Sequence, residues 1–576
     1  MTEPMQAENI SEESVWFGEV DRPLFGRLTV PVGEKTKGAV LLSPPIGRES
    51  RLARRAFRTL AMYLAVDGYV SLRYDHFGTG DSGGSMEDEG LDLAWVEGVD
   101  EGVGLLRSLG ITRVSAVGMR MGATIVGTAA STFDLGLTSL VLWDPCESGR
   151  AYVRELVALG ALGPETTGLG EPTKMLEYAL SDAAAMRLNK FSLVEPATRR
   201  LAERVLVVTR EDRAVSNKFR SRWETEDVQW TTTSEQGPLL EFQLPVSVQP
   251  ASTIASVRAW LTTPSPPLVS FTVQPGAADA IVMQGSSDYP VRERVAAFGS
   301  SRMFGIVSEP VGDSHGPTIV MVNGVNEDHV GPARLWVELA RRWAGLGLRS
   351  VRFDLSELGE SPWLPGQPDR PVFDKSRSQD VAGVVRALDP INPSNSVLIG
   401  YCSGAQLALE VASELMSRGV CVINPEVGAG ALPNVDRLKL SGRETTRSFV
   451  NRAEEYLNRH RRADKLIRRV SRLALSSTYP PKMPPELLEG GSDVLLLLSP
   501  EDLSPLRQVP ILGAVLRRRL SSSRNLRIKI VPGLDHSFLS TLGRNRAVAI
   551  LNQFVVEKYV AIVSPSRDSR DATRDS

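Results

Sequence analysis

At 576 residues the chain exceeds the length at which a single hydrophobic core stops growing, so two or more domains are expected. Its 42% apolar and 23% charged residues are those of an ordinary globular protein, and a formal net charge of −2 argues against a chain-wide electrostatic grip on nucleic acid or an anionic membrane. Three cysteines (Cys146, Cys402 and Cys421) are too few for a disulfide framework, and the N-terminus has no basic segment followed by an apolar run. The longest apolar stretches, such as 494–498, are strand-length, so no transmembrane segment is predicted and a cytoplasmic location is expected.

In chain order, residues 1–18 are acidic and polar and read as a flexible N-terminus. The run AVLLSPP (39–45) predicts a strand, followed by a helix with apolar periodicity and a second apolar run ending in Arg73-Tyr74-Asp75. Another helix leads to a strand that runs into a glycine-bracketed turn, SAVGMRMGA (115–123). The whole series then recurs. FGRLTVPVG begins at Phe25 and FGIVSEPVG at Phe304, 279 residues later, and the same offset carries RYDHFGTGDS (73–82) onto RFDLSELGES (352–361). So many matches at one offset identify two homologous halves. Strands alternating with helices predict βαβ units and right-handed crossovers, hence an α/β fold with two tandem, mostly parallel, doubly wound sheets flanked by helices. The predicted domains are 19–262 and 291–562, joined by a Pro/Gly/Ala-rich linker over 263–290, with a disordered polar tail at 563–576.

In the second half, Gly400-Tyr401-Cys402-Ser403-Gly404 follows a strand and precedes a helix, the context a nucleophile elbow requires. Cys402 is bracketed by glycines, whereas a nucleophile at Ser403 would have the bulky Tyr401 two residues before it. The bland alternative is that Cys402 is a small buried residue. The elbows, RYDHFGTGDSGG and the PPIGRES loop together resemble the α/β-hydrolase superfamily, in its serine-aminopeptidase-like (esterase/lysophospholipase-type) branch, over roughly 20–260 and 290–560. Cysteine replaces that branch's usual serine, as in dienelactone hydrolases and polyhydroxyalkanoate synthases. The resemblance implies a helical lid in each domain and an acid a few residues beyond DVLLLL, at Asp502. It also implies a general base after the last strand, at His536. Cys402 would then attack an acyl carbonyl, His536 would take and return the proton, and Asp502 would orient the imidazole. The backbone N–H groups of Ser403 and of Val325, in the Asn323–Asn326 loop, would bind the oxyanion.

The first half keeps the elbow but places Arg120 at the nucleophile position, and a guanidinium has no lone pair with which to attack. The acid position remains as Asp212, while the last strand region carries no histidine. This half therefore reads as a pseudo-enzyme, with Arg120 either paired to Asp212 or aimed at an anionic ligand. His76, in a loop after a strand, is most simply an ordinary structural residue.

An insertion at about 430–490 reads as a basic helical lid: 436–472 carries 12 Lys+Arg against 5 Asp+Glu, and Leu466, Ile467, Val470 and Leu473 recur at helical spacing. Such a lid is a solvated face or an attractor for an anionic substrate. No CxxC pair, HExxH, P-loop or post-strand GxGxxG occurs, so no metal or cofactor is expected. The reading reached is a hydrolase of a small-molecule ester or thioester, with an acyltransferase using the same residues and a non-catalytic scaffold as alternatives. Oligomeric state is not encoded legibly.

Overall fold

The computed structural model describes residues 10–560 except 162–181, 196–198, 226, 241–247, 274–278, 283–288, 325–326, 364–375, 426–486, 488–490, 501–524 and 539. The first domain contains β1 (Ile10–Phe17), β2 (Leu24–Pro31), β3 (Lys35–Thr36), β4 (Ala39–Ser43), β5 (Val70–Tyr74), β6 (Val114–Met119), β7 (Leu137–Trp143), β8 (Ala202–Arg210) and β9 (Val228–Thr233). All but β3 form one eight-stranded sheet in the order β1-β2-β5-β4-β6-β7-β8-β9, antiparallel at β1-β2-β5 and parallel thereafter. β10 (Val269–Ser270) pairs with β3.

The second domain comprises β11 (Asp279–Val282), β12 (Val291–Phe298), β13 (Met303–Pro310), β14 (Thr318–Val322), β15 (Ser350–Phe353), β16 (Ser396–Tyr401), β17 (Gly419–Ile423), β18 (Asp493–Leu498) and β19 (Leu526–Ile530). Their order, β11-β12-β13-β15-β14-β16-β17-β18-β19, repeats the first sheet strand for strand and parity for parity, with β11 added at one edge. The central strands β4, β6, β14 and β16 are buried on both faces, as continuous apolar runs in parallel sheets require. Each sheet carries a separate apolar cluster on each face.

Two boundaries differ from the sequence expectation. Residues 10–17 are not flexible: Val15 and Trp16 bury their side chains, and β1 pairs along its whole length with β2. The stretch 263–290 is not a bare linker, because β10 returns to the first domain and β11 joins the second sheet. The Pro/Gly signal was silent on strand pairing at either end.

The domains meet through reciprocal ion pairs. Arg73 donates to both Glu360 carboxylate oxygens, at 2.7 and 2.8 Å, and Arg352 pairs with Asp81. These are the same two positions of the repeated motif, exchanged between halves, so the contact has the self-complementary form of a two-fold interface. Glu12 binds Arg58 and Arg73, and Glu293 likewise binds Arg341 and Arg352. Phe25 and Phe304, equivalent in the repeat, meet with ring centroids 6.3 Å apart.

At the centre of this interface the buried His329 lies 2.8 Å from Asp354 and 2.7 Å from Asp81. Burial alone would lower its pKa, but the Asp354 and Asp81 carboxylates outweigh it and hold the imidazole up at about 10. An unfolded histidine titrates near ~6.5, so this contribution is complete below that pH and is lost as pH rises towards 10. At ~1.36 kcal/mol per pKa unit, the loss is on the order of several kcal/mol. The urea midpoint should therefore fall between about pH 6.5 and 10, with a flatter dependence in His329→Gln.

Candidate active site

Cys402 joins β16 to α11 (Ser403–Leu415) with φ 54° and ψ −122°, a region that costs a non-glycine residue about 1–3 kcal/mol. The turn closes because its flanks are glycines. A Cβ at Gly404 would lie 2.3 Å from the Asn323 carbonyl oxygen, and one at Gly400 2.3 Å from the Gly404 carbonyl oxygen. The loop leaving β14 also approaches closely, since a Cβ on Gly324 would stand 3.0 Å from Cys402 Cβ. Ser403 opens α11, so helix geometry leaves its N–H without an intrahelical acceptor. Cys402 is partly accessible, whereas Cys146 and Cys421 are buried and their thiols are pushed up by that burial.

His536 lies between β19 and α12 (Thr541–Tyr559), and its Nε2 is 3.4 Å from Cys402 Sγ. Its loop is secured from several sides. Asp535 accepts from the Ser537 and Ser540 backbone N–H groups at 3.0 and 2.7 Å. The Tyr401 hydroxyl donates to the His536 carbonyl at 2.9 Å. Asn424, just past β17, donates from Nδ2 to the Asp535 carbonyl at 3.1 Å and accepts at Oδ1 from the Ser499 N–H at 2.8 Å. Tyr401 and Asn424 thus link the elbow, the end of β18 and the histidine loop. Sequence reasoning missed both roles, although Asn424 sits 280 residues after Asp144 and both have positive φ, 41° and 44°. Asp502, Val325 and nearly all of the basic lid at 430–490 lie outside the described residues.

The first domain keeps the elbow backbone almost unchanged. Arg120 has φ 53° and ψ −123° between β6 and α3 (Met121–Thr132). Its guanidinium, 3% exposed, donates to Glu49 at 2.9 Å and Glu155 at 2.8 Å, with Asp144 at 3.7 Å. The expected Arg120–Asp212 pair does not form. Asp212 is exposed and accepts two bonds from Arg210, two residues before it on the strand end, which leaves Glu49 and Glu155 to neutralise Arg120. Burial raises the Asp144 pKa to about 7 against the pull of Arg120. His76 is buried, with Nε2 3.1 Å from the Pro44 carbonyl oxygen, and burial lowers its pKa to about 4, so it is neutral near pH 7. Among the described residues, no group of three or more His, Cys, Asp or Glu could hold a metal ion, and no helix is long and apolar enough to cross a membrane.

The second domain's loop after Gly324 is met by the first domain. Arg51 pairs with Glu327, Arg54 Nε lies 2.8 Å from Asp328, and Asp81 is 2.7 Å from His329. Arg334, a few residues on, donates to the carbonyls of Gly80, Ser82 and Gly84 at 2.8, 2.6 and 2.7 Å.

Among curated proteins, none matches this chain. Among solved structures, an esterase of Pyrococcus furiosus is 14% identical, with 47% of this chain and 91% of that chain covered and a TM-score of 0.30. A dienelactone hydrolase of Anabaena variabilis is 14% identical, covering 46% and 96%, with a TM-score of 0.28. A proline iminopeptidase of Mycobacterium smegmatis is 17% identical, covering 44% and 97%, with a TM-score of 0.31. In sequence, the C-terminal region of the chain, residues 319–549, matches the alpha/beta hydrolase family.

Proposed function

We propose that the second domain hydrolyses a small-molecule ester or thioester through an acyl-Cys402 intermediate. The observation that carries this reading is the 3.4 Å approach of His536 Nε2 to a partly accessible thiol held at a strained elbow. Attack of the sulfur on the carbonyl forms an S–C bond, and the thiol proton passes to His536. Collapse of the tetrahedral adduct expels the alkoxide or thiolate, which takes that proton back. Water, deprotonated by His536, then releases the carboxylic acid and restores the thiol. Ser403 N–H and the loop after β14 would receive the oxyanion, and Asp502 would orient the imidazole.

The first domain, in this reading, is a non-catalytic copy arising from duplication. Its matching strand order and its neutralised Arg120 support that descent and speak against an anion site there. The test is a panel of acyl esters and thioesters with quenched samples analysed by mass spectrometry. Turnover with acyl mass on the peptide containing Cys402, lost in Cys402→Ala, is expected. Turnover that persists in Cys402→Ala would overturn the assignment.

A further inference from the structure

We propose that the first domain positions the oxyanion loop of the second, with Arg51, Arg54 and Asp81 acting as positioning residues through Glu327, Asp328 and His329. This deepens the acyl-transfer reading above and rests on it for its catalytic consequence.

The loop that leaves β14 has to serve two opposed requirements. A Cβ on Gly324 would stand 3.0 Å from Cys402 Cβ, which puts this backbone beside the elbow. Yet Glu327 and Asp328 follow within a few residues, both largely buried. Two carboxylates close to a developing oxyanion oppose it, and with no cation at hand they would draw the loop towards solvent. The cations come from the other domain: Arg51 on Glu327 and Arg54 on Asp328. The third residue in the row, His329, is gripped on one side by Asp354 of its own domain and on the other by Asp81 of the first. Three successive residues are therefore fixed by three side chains of the non-catalytic half.

The arrangement runs in one direction. The repeat offset of 279 carries Arg51 onto Val330 and Arg54 onto Ala333, so the second domain has no guanidinium to return at those positions. The first domain's counterpart of Asp328 is Glu49, which turns inward to its own Arg120. The degenerate half thus supplies two guanidiniums to this loop of the active half, and the second domain carries none at the equivalent positions 330 and 333. That asymmetry is a physical reason for retaining a domain whose own elbow cannot react.

Arg51→Gln and Arg54→Gln in the full chain test this. Arg51 keeps 28% of its side chain exposed, so its replacement is the gentler of the two. Four quantities are read: kcat and KM on the best ester or thioester, the rate of Cys402 alkylation by iodoacetamide, and hydrogen exchange of the amides at 318–324 and 327–331. Loss of an oxyanion donor costs about 10²–10³-fold in kcat, so a loosened loop should cost roughly tenfold or more. KM and alkylation, which do not use the hole, should stay as in the unaltered protein. Exchange should quicken in those amides alone, and Arg51→Lys should recover most of the lost rate. Unaltered kcat and exchange in both variants would overturn the proposal, as would a fall in kcat accompanied by faster exchange throughout the chain. If the unaltered protein turns over no ester at all, the acyl chemistry fails separately, and local exchange still decides whether the first domain holds the loop.

Discussion

Replacing His536 by Ala is expected to lower turnover more than it lowers the reactivity of Cys402, and the gap between the two effects reports what the imidazole does. Alkylation by iodoacetamide requires only the thiolate. An unassisted thiol is a few per cent ionised at neutral pH, so removal of a base 3.4 Å from Sγ should slow labelling by roughly tenfold or more. Acyl turnover needs that same thiolate, and it also needs a proton returned to the leaving group and a water activated in the second half-reaction. General acid–base catalysis of this kind contributes about 10²–10⁴-fold, so kcat should fall by that factor on top of the thiolate effect. A stopped-flow labelling series beside steady-state kinetics measures both. Labelling that proceeds equally fast with Ala at 536 would mean that the two side chains are neighbours without being partners, and the nucleophile assignment would go with it.

The elbow was legible in the sequence because its requirement is steric and local. Glycines two residues either side of Cys402 are demanded by carbonyl oxygens that would otherwise lie 2.3 Å from a Cβ, and that demand survives as a spacing. The same holds for Arg120, whose backbone angles match those of Cys402 within a degree although its chemistry is different. That the second sheet repeats the first was legible through the 279-residue offset. The partners of Arg120 were not. Asp212 occupies the position where an acid belongs by strand order, but Arg210, only two residues away, captures it locally. Glu49 and Glu155 reach Arg120 from α1 (Arg48–Val66) and α4 (Gly149–Ala161), elements whose approach no periodicity records. The polar look of 10–17 likewise concealed a strand held by two buried side chains, Val15 and Trp16. The hardest feature to foresee was the exchange of partners between Arg73-Asp81 and Arg352-Glu360. Each motif read alone looks like a loop with its own internal charge balance, and only the approximate two-fold relation of the domains crosses the pairs.

That crossing makes Glu360→Ala the substitution expected to cost the most stability. Glu360 is almost wholly buried, binds Arg73 through both oxygens, and has Arg27 at 3.4 Å and Arg54 at 3.8 Å. Removing the carboxylate leaves these guanidiniums without their shared counter-charge at a largely buried site, and breaking a buried pair in this way costs about 3–5 kcal/mol. Domain stabilities are only about 5–15 kcal/mol, so the urea midpoint should drop far enough to be unmistakable. Asp81→Ala should behave alike, because it strips Arg352 and His329 of the equivalent partner across the same interface. Arg73→Met combined with Glu360→Leu should recover only the part of the loss carried by Arg73, since that apolar pair carries no desolvated charge and Glu12 keeps Arg58, while Arg27 and Arg54 still lack the Glu360 carboxylate. The control is Glu414→Ala. Its bond to Arg386 is as short, 2.5 Å, but both side chains are about half exposed, and such pairs are worth roughly 0–1 kcal/mol. If Glu360→Ala proves no more harmful than Glu414→Ala, the two domains are not held together by this buried exchange of charges, and Arg51 and Arg54 would have no fixed frame from which to reach the catalytic loop.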